Sequence, residues 1–204
     1  MSTDTNADVS PGMHTGMSPG VHTTDADLPA DTTVPTAAGM RALGARLAAL
    51  LRPGDLVLLA GPLGAGKTTL VQGLGEALRV RGHVTSPTFV IARVHPSLSG
   101  GPNLVHVDAY RLGSLAEMDD LDLDLAGAVT VVEWGEGLAE GLSADRLEIT
   151  IGFAPRGTGG GTGIPDEAGA GTPGEGDEPR RVRIRRIGPR WGAAQDGPGR
   201  TGRS

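Results

Sequence analysis

The chain contains no cysteine, very few aromatic residues and no long apolar run, and each shortage closes off a class of function. Without cysteine, disulfides, zinc–thiolate centres and thiol catalysis are excluded, and a reducing compartment is allowed. Aromatic residues make up 2% of 204 residues, beside 34 glycines and 15 prolines. That balance favours one small domain with low-complexity tails over a chain folded throughout. No apolar stretch approaches the roughly 20 residues needed to span a bilayer. The N-terminus lacks the basic-then-apolar pattern of a secretion signal. The expectation is a cytoplasmic protein with no membrane contact. A net charge of −6 gives no overall attraction to nucleic acid, so no DNA partner is expected.

What is present is concentrated between Gly54 and Leu70. Leu56 to Ala60 is a short, wholly apolar run bounded by glycines, which reads as a buried central strand. Gly61, Gly66, Lys67 and Thr68 then satisfy the phosphate-binding pattern G-x-x-x-x-G-K-[ST]. Its glycines let the backbone curl so that successive N–H groups form an anion nest at the start of a helix, expected from Lys67 to about Arg79. The dipole of that helix adds to the same site. The segment Gly61, Leu63, Gly64, Ala65, Gly66, Lys67, Thr68 and Thr69 is therefore expected to bind a nucleotide. In it, Lys67 reaches the β- and γ-phosphates and the Thr68 hydroxyl ligates Mg²⁺.

Before this stretch, residues 1 to about 34 are rich in Asp, Thr, Pro, Gly and Ala and cannot bury enough surface to offset their ordering entropy. A near-duplication there, Ser10–Thr15 against Ser18–Thr23, is low complexity; His14 and His22 have no third ligand at sensible spacing. Structure is expected to begin at Thr36 as an N-cap, with Met40, Leu43, Leu47, Leu50 and Leu51 forming one apolar helical stripe ended by Arg52-Pro53-Gly54. After the loop helix, Phe89 to Val94 reads as a strand. Ser86-Pro87-Thr88 in front of it is either a switch loop or an ordinary turn. Leu98 to Gly101 resembles a transporter signature loop but precedes Pro102 and no helix, and reads as a plain loop.

Two later segments share one form, an apolar strand ending in an acid: Leu104 to Asp108, continuing Ala109-Tyr110-Arg111, and Val129 to Glu133, continuing Trp134. A carboxylate at the C-terminal end of a strand beside a phosphate loop is where a nucleotide hydrolase holds its Mg²⁺ shell and attacking water. Lys67, Asp108 and Glu133 are thus the candidate catalytic residues, and Thr68, Asp108 and Glu133 the candidate metal ligands. Between the strands, the acidic run Glu117 to Asp124 is a solvated helix face or a docking face for a basic partner. Leu147, Ile149, Ile151 and Phe153 alternate, as do Val182 and Ile184, predicting a hairpin whose connection holds a Gly-rich insert. The last segment is rich in arginine; it either touches RNA or guards an edge strand against aggregation.

Four motifs together, Gly-Pro-Leu-Gly-Ala-Gly-Lys-Thr-Thr (61–69), Thr-Ser-Pro-Thr-Phe (85–89), His-Val-Asp-Ala-Tyr-Arg (106–111) and Val-Glu-Trp (132–134), resemble the TsaE family. These are small bacterial ATPases of the machinery that makes N6-threonylcarbamoyladenosine at position 37 of tRNA. The resemblance runs from about Thr36 to Phe153 and over a closing strand near 181–187. It implies an α/β phosphate-loop domain with a mixed central sheet that binds ATP and Mg²⁺ and hydrolyses ATP slowly. It also implies docking on the TsaD–TsaB pair that transfers the threonylcarbamoyl group, with tRNA reached indirectly. Asp108 and Glu133 then serve Mg²⁺ and hydrolysis. Ser86 and Thr88 belong to a switch-like loop, and Tyr110, Arg111 and Trp134 support the site. Pro62 stands where an acid is usual. The organisation expected is a disordered leader over 1–34, a phosphate-loop domain over 35–188 with a low-complexity insert at about 155–179, and a disordered basic tail over 189–204.

Rival classes lack their signatures. A regulatory GTPase needs Asn-Lys-x-Asp, and neither Asn6 nor Asn103 lies in one. A small-molecule kinase needs an arginine-bearing lid, whereas Arg156 stands alone until Arg180. A phosphate-loop kinase or another regulatory ATPase remains the alternative. A pure RNA-binding adaptor leaves the phosphate loop unexplained.

Overall fold

Seven strands lie side by side in one sheet: β1 (Asp31–Val34), β2 (Leu56–Ala60), β3 (Ala92–His95), β4 (Asn103–Asp108), β5 (Ala128–Glu133), β6 (Arg146–Phe153) and β7 (Arg180–Ile187). Their spatial order in the computed structural model, which describes residues 28–154 and 178–192, is β1-β7-β6-β2-β5-β4-β3. The four central strands β6, β2, β5 and β4 pair in parallel, and the flanks pair antiparallel. This is the mixed sheet that the motifs imply.

Helices α1 (Ala37–Ala48) and α2 (Lys67–Ala77) cover one face. Leu43, Leu47, Leu70, Val71 and Leu74 pack there with Val57, Leu59, Val131, Ile149 and Ile151. The short helix α3 (Leu115–Asp119) brings Met118 to the other face with Leu56, Leu58, Val105, Val107 and Val132. β2 is therefore buried on both sides, which is why its sequence is an unbroken apolar run. α1 begins as its sequence predicts: the Thr36 side chain accepts a hydrogen bond from the Gly39 N–H at 3.0 Å. Met40, Leu43, Leu47 and Leu51 are buried and Leu50 packs partly against them.

α1 and α2 cross so closely that side chains are excluded. A Cβ on Gly44 would overlap the Leu70 carbonyl, and one on Gly73 the Arg41 carbonyl. This contact presses the phosphate-loop helix onto the sheet and fixes the height of its first turn.

Several boundaries differ from expectation. The leader does not extend to residue 34: Asp31–Val34 is a strand paired with β7, and Leu28 is buried. The Asp31 carboxylate accepts from Arg181 at 2.7 Å and Arg183 at 3.2 Å, partners that lie far away in sequence. β7 is consequently an inner strand, and the guard role expected of an edge does not apply to it. The strand expected over 89–94 is β3, Ala92–His95, because Pro87 to Ile91 closes a turn in which Ile91 takes φ 66°. The acidic run leaves α3 after Asp119, and its carboxylates are exposed while Leu121 and Leu123 pack inward. The β6–β7 hairpin forms as the alternation predicts. The insert lies outside the described residues except for Glu178 and Pro179, as does the leader before Leu28.

The tail assignment also changes at its start. Pro189–Trp191 form a 3₁₀ turn with Trp191 buried. Arg190 bonds both Asp55 carboxylate oxygens at 3.2 and 3.1 Å and the Leu50 carbonyl at 2.8 Å. Residues 193–204 lie outside the described residues.

The helix crossing generates a prediction. Gly73→Ala should destabilise the protein by about 1–3 kcal/mol, because overpacking forces backbone apart. Gly152→Ala, where an added Cβ meets nothing within 4 Å, should not. Denaturant unfolding of the two variants measures the difference, and equal stabilities would show that the crossing relaxes freely.

Candidate phosphate-binding site

β2 delivers the chain at Ala60 into the loop Gly61–Gly66, and α2 starts at Lys67. Gly61, Gly64 and Gly66 take φ of 139°, 75° and 104°, conformations that glycine adopts without Cβ strain. A Cβ on Gly61 would also strike the Ile151 carbonyl of β6, so this position is doubly restricted. Beyond the loop, the unpaired N–H groups and dipole of α2 favour an anion. Leu63 at the loop tip is exposed, whereas Ala65 is buried.

Lys67 is 5% exposed. Its ammonium donates to the carbonyls of Gly61 at 2.8 Å and Pro62 at 3.2 Å, and stands 3.9 Å from the Trp134 ring centroid. Burial pushes its pKa below the usual lysine value, while Glu133 and Asp108 pull it back up. Trp134 is held in place by its N–H to the Leu59 carbonyl at 3.2 Å and by an edge-on contact with Tyr110, ring centroids 5.7 Å apart. Its φ of 62° is rare for a side chain this large.

The two acids are level with each other, because Asp108 pairs with Glu133 in the β4–β5 register. Both are buried. Glu133 Oε1 accepts from the Thr68 hydroxyl at 3.1 Å and from His106 Nε2 at 2.8 Å. Asp108 Oδ2 accepts from the Thr88 hydroxyl at 2.6 Å, and its Oδ1 accepts from the Tyr110 N–H at 3.0 Å. Ser86 Oγ lies 2.7 Å from Thr88 Oγ1, and Arg111 donates to the Thr88 carbonyl. Two hydrogen-bonded groups result, Thr68, Glu133 and His106 in one and Ser86, Thr88, Asp108, Tyr110 and Arg111 in the other. Lys67 and Trp134 pack on the second through Tyr110, and both acids feel the Lys67 charge.

Gly64, Ala65, Gly66 and Thr69 line a pocket on the α1 side of the loop with Thr36, Met40, Glu178 and Arg180. Arg180 donates to the Gly64 carbonyl at 3.4 Å and lies 4.7 Å from the Phe153 ring centroid. The motifs singled out neither this residue nor Glu178 nor a site role for His106. A histidine inside an apolar strand, two residues before an acid, is a signal for the last; Arg180 and Glu178 carry none. Among the described residues no three His, Asp or Glu side chains converge as a metal cage.

The family model for "Threonylcarbamoyl adenosine biosynthesis protein TsaE" matches residues 34–156, a span that contains all four motifs. A curated relative from Streptomyces coelicolor, "tRNA threonylcarbamoyladenosine biosynthesis protein TsaE", is 59% identical over 158 residues, covering 76% of this chain and 95% of the relative. A relative of the same name from Bacillus subtilis is 40% identical over 114 residues, covering 54% of this chain and 70% of the relative. Among solved structures, Bacillus subtilis YdiB matches with a TM-score of 0.56 and 28% identity, over 79% of this chain and 87% of that one.

The buried ammonium makes stability depend on pH. Lys67 holds its proton less tightly when folded, so its charged form opposes folding near neutral pH. That penalty fades as pH rises toward the ordinary lysine value of 10.5. Lys67→Met should therefore melt higher than the parent near neutral pH, with the gap narrowing under alkaline conditions. Parallel thermal melts measure it; a variant less stable than the parent at every pH would show that the two carbonyl bonds outweigh desolvation.

Proposed function

The chain belongs to the TsaE family, and from that premise we propose that it is the ATP-binding, slowly ATP-hydrolysing component of the tRNA N6-threonylcarbamoyladenosine machinery. It acts in the cytoplasm on a TsaD–TsaB-type transferase pair and reaches tRNA through that pair. The observation that carries the ATPase reading is the convergence of Lys67, Thr68, Asp108 and Glu133 at the C-terminal ends of β2, β4 and β5. Ligands of open α/β sheets bind at those ends.

The donor set suits Mg²⁺. Thr68, Asp108 and Glu133 offer oxygen atoms only, and fewer than three acids suffice for an ion held mainly by phosphates and water. When bound, Mg²⁺ neutralises charge on the β- and γ-oxygens. The chain's own residues do the rest. Lys67 supplies a cation at the loop. The Thr68 hydroxyl donates a hydrogen bond to Glu133, which leaves its oxygen lone pairs for a cation. Glu133 is placed to orient the attacking water, and Asp108 is steadied by Thr88 and the Tyr110 N–H. The pocket beside Gly64, with Arg180 and Thr36, takes the nucleoside.

Slow turnover is expected. An arginine finger is worth roughly 10³–10⁵ in rate. The arginines near the loop and the acids, Arg180 and Arg111, donate to the carbonyls of Gly64 and Thr88. The Thr88–Asp108 bond links the site to the turn that carries Phe89, which is 93% exposed, and Leu63 of the phosphate loop and Tyr110 after Asp108 are exposed too. Exposed large side chains on segments that carry site residues suit a protein partner whose grip follows the nucleotide state.

Three substitutions test this. Lys67→Ala should abolish ATP binding or hydrolysis. Asp108→Asn and Glu133→Gln should each slow hydrolysis more than about tenfold while a fluorescent ATP analogue binds within a fewfold of the parent. Unchanged hydrolysis in all three would sink the ATPase reading. In multiple-turnover tRNA modification with purified transferase partners, omitting the protein or supplying Glu133→Gln should stall cycling. Equal cycling in both cases would remove the resetting role.

A further inference from the structure

We propose that His106 is a positioning residue for ATP hydrolysis: its Nε2–H fixes the Glu133 carboxylate so that Oε1 is occupied from within the fold and only Oε2 is left for the reaction. The inference rests on the reading that Glu133 serves hydrolysis.

His106 precedes Asp108 by two residues on β4 and so shares its face of the sheet. In register it stands opposite Val131, two residues before Glu133 on β5, which sets the imidazole one layer below the two acids. It is fully buried. A carboxylate can only accept, so at 2.8 Å from Glu133 Oε1 the proton sits on Nε2. Nδ1 has no hydrogen-bond partner among the described residues. An aliphatic side chain would fill this strand position without burying an unpaired ring nitrogen, so packing alone does not account for histidine. The Nε2–H is spent on Glu133.

The bond has a directional effect. Oε1 already receives the Thr68 hydroxyl proton at 3.1 Å, so with His106 it holds two donors from two different elements. Together they hold the carboxylate from α2 and from β4. His106 thereby also fixes the direction of the Thr68 hydroxyl, because both donors share one oxygen.

The test compares His106→Leu, His106→Gln and His106→Asn, alone and combined with Glu133→Gln, in the full chain. Readouts are single-turnover ATP hydrolysis, affinity for a fluorescent ATP analogue, and melting temperature. His106→Leu should slow hydrolysis about 10–100-fold, the usual effect of losing an outer partner of a site ligand, with nucleotide affinity nearly unchanged. Gln, whose amide nitrogen extends as far as Nε2, should recover most of the rate; Asn, which is shorter, should not. In the Glu133→Gln background His106→Leu should cause no further loss. Parent-rate hydrolysis by folded His106→Leu, or losses that multiply with Glu133→Gln, would overturn the proposal. If His106→Leu does not fold, the Gln and Asn variants decide, and equal rates overturn it. Parent-rate hydrolysis by Glu133→Gln with a slow His106→Leu would overturn the catalytic reading of Glu133 and this proposal together. A slow Glu133→Gln with a parent-rate His106→Leu would overturn this proposal alone.

Discussion

Parallel pairing of β4, β5 and β2 sets every position in the site. The ladder places Asp108 opposite Glu133, and Glu133 opposite Leu59, one residue before β2 ends and two before the phosphate loop begins. Acids and loop therefore meet at one level because the strands share a register. A slip of one residue would turn both carboxylates and His106 to the opposite face. The register is held by Val129 and Val131 packing under α2 while Val132 packs on the other side. The glycine contact between α1 and α2 then sets how far Thr68 stands from Glu133.

The same arrangement explains how so much polarity is kept inside. Lys67, Asp108, Glu133 and His106 are all buried, and an isolated charge there would be prohibitive. Each is instead answered by a specific group: carbonyls and a ring face for Lys67, two donors for Asp108, two for Glu133. Two carboxylates share one ammonium, an imbalance that suits a further cation on the reading proposed above. The Thr88–Asp108 bond also ties the turn at Pro87–Ile91 to the end of β4.

Elements that follow one local rule were legible in the sequence. β2, the loop and α2 carry an apolar run, spaced glycines and a helix start in succession. Thr36 and the stripe from Met40 announce α1, and alternation announces β6 and β7. What escaped depends on partners distant in sequence. Asp31–Val34 has one buried side chain, Val34, and is a strand only because β7 offers an edge. Apolar Phe89 and Val90 imitate a strand but face solvent, since Ile91 turns the chain. Arg190 and Trp191 sit in a basic, glycine-rich stretch and fold because Asp55 is there to receive them. In the site, motif spacing marks Lys67, Thr68, Asp108 and Glu133. Arg180 gains its place only through tertiary contact, whereas His106 carries a signal in its position two residues before Asp108.

The order of the strands has a consequence for synthesis on the ribosome. Among the described strands β1 is made first and its partner β7 last, and Asp31 stands 152 residues from Arg183. Until β7 is made β1 has nothing to pair with; β2 presents an open edge until β6 is added, and β6 then presents one until β7 follows. Strands β2 to β5, which carry the phosphate loop and both acids, leave the exit tunnel well before that edge is closed. A chain stalled before Arg180 would hold the site's acids beside an unprotected strand, the kind of edge that recruits other chains. Closure of the sheet waits for Arg180–Ile187.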